Sequence, residues 1–60
     1  MNITQTMLSA LIGAGMSQKR IAEALGCKQP AVSLWLAGKR VPRGDTMMRL
    51  VALHGERTSG

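Results

Sequence analysis

Between Ser17 and Arg43 the chain gathers six of its eight cations, with the hydroxyls of Ser17 and Ser33 and the amides of Gln18 and Gln29. Those cations are Lys19, Arg20, Lys28, Lys39, Arg40 and Arg43, and Glu23 is the one acid among them, so the entire formal net charge of +5 falls in this stretch. Residues 1–16 carry no charged side chain, and in 44–60 Arg49 and Arg57 are offset by Asp45 and Glu56. Ammonium and guanidinium groups form charge-assisted bonds to phosphate oxygens. A side-chain amide can pair with the N6 and N7 positions of adenine. Donors of both kinds in one short run suit a polyanion whose bases are read as well as its phosphates, which is nucleic acid.

Other chemistries find little support. Cys27 is the only cysteine, so no disulfide forms within the chain, and no base stands near it in sequence to make it a nucleophile. The only histidine, His54, falls near the end of a helical segment, where capping explains it better than metal ligation. Gly13-Ala14-Gly15 lacks the third glycine and the preceding strand of a dinucleotide loop. The triplet Arg43-Gly44-Asp45 is better used with Asp45 as a helix cap than as an adhesion signal. The expectation is therefore no enzyme, no metal, no cofactor and no small-molecule effector. The uncharged opening has no basic n-region and is interrupted by Gly13 and Gly15, which argues against a signal peptide or a membrane span. No helix joins a basic face to a large apolar one, so a membrane partner is not expected, and the cytoplasm is the expected setting.

Glycines set the elements that must position the donors. A first helix is predicted from Asn2 or Thr4 to Ala14, with Ile3, Met7, Leu8, Leu11 and Ile12 at helical spacing and Gln5, Thr6 and Ser9 opposite. Ser17 caps a second helix, Gln18 to Leu25, which Gly26 stops. A third starts near Gln29 with Pro30 in its first turn and ends at Gly38. Asp45 caps a fourth, Thr46 to His54, and residues 56–60 read as a flexible tail. The only aromatic residue, Trp35, is the expected centre of the core, where helices one, three and four join. Residues 1–55 thus read as one all-α domain of four helices, five at most. In residues 17–38 Ile21, Ala22, Leu25, Val32, Trp35 and Leu36 point inward, and Gln18, Lys28, Gln29, Ser33 and Lys39 point outward. Two such helices across a tight turn make a helix-turn-helix, whose second helix fits the DNA major groove.

Ala22 and Gly26, four residues apart, with Val32 and Trp35 on the buried side of the next helix, carry the packing signature of this pair. With Gln18 opening the motif and Gln29-Pro30-Ala31-Val32-Ser33 opening the second helix, the chain resembles the lambdoid phage repressor and Cro family over residues 4–54. Lys39-Arg40-Val41-Pro42-Arg43 is similar to the basic loop that this family lays along the phosphate backbone. Three departures stand out. Lys28 occupies the position where the family usually has a Ser or Thr cap, and Pro30, Ala31 and Leu34 replace residues that often read bases by hydrogen bonding. A further dimerising helix has no counterpart after Gly55.

On this reading Ser17, Gln18, Lys19, Lys39, Arg40 and Arg43 contact phosphate, while Lys28, Gln29, Ala31 and Ser33 meet base edges. Gln29 suits adenine, Lys28 guanine, and the Ala31 methyl a thymine methyl. So few readers call for two half-sites about 34 Å apart in an inverted repeat. The homodimer this requires could form on the DNA itself. The competing reading keeps the fold but makes it an antitoxin-like interaction module, with a protein partner on the uncharged first helix through Ile3 or Met7.

Overall fold

A computed structural model describes residues 2–58 as four α-helices: α1 (Ile3–Gly13), α2 (Gln18–Leu25), α3 (Gln29–Leu36) and α4 (Gly44–Thr58). No strand occurs among the described residues, so the expected all-α fold is the one adopted.

Each start has a local cause. The Gln5 N–H donates to Asn2 Oδ1 (2.8 Å) and the Asn2 N–H donates to Gln5 Oε1 (2.9 Å), a reciprocal capping box at the head of α1. Ser17 Oγ accepts the Arg20 N–H at 3.1 Å and caps α2. Lys28 precedes α3 and supplies no cap, because an ammonium has no acceptor. Pro30 sits in the first turn of α3, where a missing N–H leaves no helical bond unmade.

The helix ends of the motif are alike. Gly26 (φ 73°) and Gly38 (φ 77°) take the left-handed conformation that residues with a Cβ rarely adopt. Beyond them the Cys27 N–H reaches back to the Ala22 carbonyl (2.9 Å) and the Lys39 N–H to the Leu34 carbonyl (3.0 Å). These are Schellman endings, and they turn the chain sharply at a fixed angle. α1 closes with the same bond, from the Met16 N–H to the Leu11 carbonyl at 3.1 Å.

α4 packs on α1 and α2, and α3 packs on α2 and α1. Leu8, Leu11, Ile21, Leu25, Val32 and Leu50 are fully buried, and Ala22 lies in the same core. Trp35 joins it but keeps 6% of its surface exposed. The innermost layer is therefore aliphatic, and Trp35 shares the core with Leu8 and Leu11 of α1 and Leu50 and Leu53 of α4. Leu36 is only half-buried, and Ile3, Ile12 and Val51, expected on inward faces, are exposed.

The fourth helix is longer than its sequence suggests. It starts at Gly44, so Asp45 stands inside the first turn, where its carboxylate favours the positive helix end without capping it. It also continues through Gly55. Glycine stops a helix by turning left-handed, and Gly55 keeps a negative φ on an open side with no atoms near its missing Cβ. Residues 56–58 of the expected tail are helical, while Ser59 and Gly60 lie outside the described residues.

Candidate nucleic-acid interface

The amides of Gln18 and Lys19 head α2, and the first amides of a helix have no intrahelical acceptor. They can donate to an anion along with the positive helix end. The Ser17 oxygen already accepts the Arg20 N–H, which leaves its hydroxyl proton to donate outward. Gln18 is half-buried, and its Oε1 accepts a hydrogen bond from Ser33 Oγ at 2.7 Å. With the oxygen occupied, the Nε2 end of Gln18 is left with its two protons for an external acceptor.

α3 turns about 100° per residue. It buries Val32 and Trp35, half-buries Ala31 and Leu36 on either flank, and exposes Gln29, Pro30, Ser33 and Leu34. Gln29, Pro30, Ser33, Leu34, Ala37 and Lys39 line one open depression. Of the expected site residues, Gln18, Gln29, Ser33 and Lys39 are therefore brought onto one continuous surface. Ala31 turns part-way inward and packs against the core. Lys19, Lys28, Arg40 and Arg43 are exposed outside that depression.

Pro42 is buried, while Lys39, Arg40, Val41 and Arg43 around it are exposed. One apolar ring thus anchors the basic loop and leaves its three cations outward. Cys27, in the turn of the motif, is half-buried. Burial pushes its thiol above the usual range against a smaller opposing pull from a backbone hydrogen bond, so it stays protonated at neutral pH. No group of three or more potential metal ligands occurs among the described residues.

Two residues that hold the motif in place were not apparent in the sequence. Gln5 Nε2 donates to the Leu36 carbonyl at the end of α3 (3.0 Å), and Arg49 Nη1 donates to the Leu25 carbonyl at the end of α2 (3.4 Å). Helix ends leave such carbonyls without intrahelical partners. α1 and α4 therefore each fasten one helix of the pair. The Asn2–Gln5 spacing of a capping box signalled part of the Gln5 role; nothing local signalled Arg49, which lies 24 residues from its partner.

No curated protein and no solved structure compared with this chain matches it. A helix-turn-helix family profile matches residues 12–59, which takes in the whole of α2, the turn, α3 and the basic loop. With its left-handed Gly26, buried Ala22 and Val32, and an exposed polar face on α3, the chain belongs to the Cro/C1-type helix-turn-helix family of DNA-binding regulators.

Proposed function

We propose that this protein is a sequence-specific transcription regulator, a small repressor of phage or bacterial origin, that occupies an operator in double-stranded DNA. The observation that carries this reading is the surface shared by Gln18, Ser33, Gln29 and Lys39, where phosphate donors adjoin a base-facing helix side. Gln18, the α2 amides, Ser17, Lys19, Lys39, Arg40 and Arg43 position the protein on the backbone. Gln29, flanked by Lys28, reads bases. One or two readers per subunit give about 1–3 kcal/mol of discrimination each, so two subunits bind an inverted repeat. They act in the cytoplasm, on the nucleoid or in an infected cell. No helix among the described residues is long and apolar enough to cross a membrane.

Selection from a random duplex pool at near-physiological salt tests this. Enrichment of an inverted repeat with half-sites about one helical turn apart is expected, and a pool that stays random overturns the sequence-specific reading. The affinity should also fall with log salt at a slope near −4 per subunit, for about four phosphates neutralised.

The interaction-module alternative has less geometry behind it. Met7 is buried. Ile3 and Ile12 are exposed, but nine residues of helix place them about 180° apart, on opposite sides of α1. They form no common apolar face for a partner.

A further inference from the structure

Gln29 and Ser33 are polar on the exposed side of α3, and the Ser33 proton is already committed to Gln18. The rest of that side is apolar. Pro30, Leu34 and Ala37 fall within about 60° of one another around the helix axis, on the side opposite the buried Val32 and Trp35. All three line the depression that Gln29, Ser33 and Lys39 share, and Leu34 keeps 39% of its surface exposed there.

These side chains have no donor or acceptor to give a base edge. Lys39 lies beside them, and the net charge of +5 draws this face toward an anionic surface. In the major groove thymine presents an apolar group, its C5-methyl, which apolar side chains contact. Resting on the operator-binding reading, we infer that Pro30, Leu34 and Ala37 form a thymine-methyl reader. The protein then selects thymine at defined positions by contact, and Gln29 adds hydrogen bonding at an adjacent base pair. Leu34 takes the role that the sequence suggested for Ala31, which is turned toward the core.

The test uses the duplex enriched from the random pool, resynthesised with deoxyuridine in place of thymidine. That exchange removes the methyl and keeps every hydrogen-bonding group. The wild-type protein should lose about fourfold in affinity for each methyl it buries. Leu34→Ala should narrow the difference between the two duplexes, because Pro30 and Ala37 remain, while keeping its helical circular dichroism, and Leu34→Gln, close to leucine in volume, provides a second variant if the alanine form is destabilised. Equal wild-type affinity for both duplexes overturns the methyl reader and leaves operator binding intact. A thymine preference undiminished in both Leu34 variants also overturns it, since the methyl is then sensed elsewhere. A pool that never enriches overturns the operator reading, and the methyl reader falls with it.

Discussion

The hydroxyl of Ser33 donates to Gln18 Oε1 across 2.7 Å and ties the first residue of α2 to the exposed face of α3. This one bond has two effects. It uses the only proton Ser33 has, so Ser33 cannot also donate to a base. It also orients the Gln18 amide, so that its NH2 end is the one left for an external acceptor. On the proposed reading Ser33 acts through Gln18.

Ser33→Ala should weaken binding by about 0.5–1.5 kcal/mol, the worth of one hydrogen bond. The loss should be equal for the preferred duplex and for random DNA, because a phosphate contact carries no sequence information. Parallel titrations of both duplexes at one salt concentration measure this. A loss confined to the preferred duplex would make Ser33 a base reader after all.

Gln29→Ala should behave in the opposite way. Affinity for the preferred site should drop by about 1–3 kcal/mol with little change in non-specific binding. Equal losses on both duplexes would show that Gln29 does not read sequence.

Gly26→Ala should cost about 1–2 kcal/mol from the left-handed backbone alone. The new Cβ would also stand 3.0 Å from Arg49 Nη1, the group that caps α2. Thermal unfolding followed by circular dichroism gives the comparison, and an unchanged midpoint would refute this account of the turn. Ala22→Glu is the harsher variant, since it forces a carboxylate between α2 and the core, and it should abolish cooperative folding.

Thr4→Val should stabilise the protein by about 1 kcal/mol, as an unbonded buried hydroxyl gives way to a methyl of similar shape. Thr4 is 1% exposed, and its Oγ1 has no hydrogen-bond partner. A lower melting temperature in the valine variant would mean that the hydroxyl is satisfied in solution.

The motif was legible because its signals are local. Ser17, Gly26, Pro30 and Gly38 mark helix boundaries through backbone chemistry within a few residues of themselves, and α2 and α3 fall where those residues place them. The same rule misled at Gly55 and Asp45. A glycine's conformation is a choice between two wells, and neighbouring helical turns made that choice at Gly55. Long-range partners left no local trace. Gln5 looked like a solvent-facing residue, yet its amide spans 31 positions to the Leu36 carbonyl, and Arg49 entered only as part of the charge balance. At the candidate site, residue type showed that Gln18, Gln29 and Lys39 were suitable donors. The Gln18–Ser33 pairing and the apolar line through Leu34 required the relative placement of two helices.

Burial of Pro42 bears on how a protease would meet this chain. Lys39, Arg40 and Arg43 offer three peptide bonds of the kind trypsin cleaves, all in the one segment that looks like a free loop. A scissile segment must leave its seat to fit an enzyme's cleft. The buried ring pins the segment that carries these bonds at one point, so cleavage there should wait on Pro42 leaving its seat.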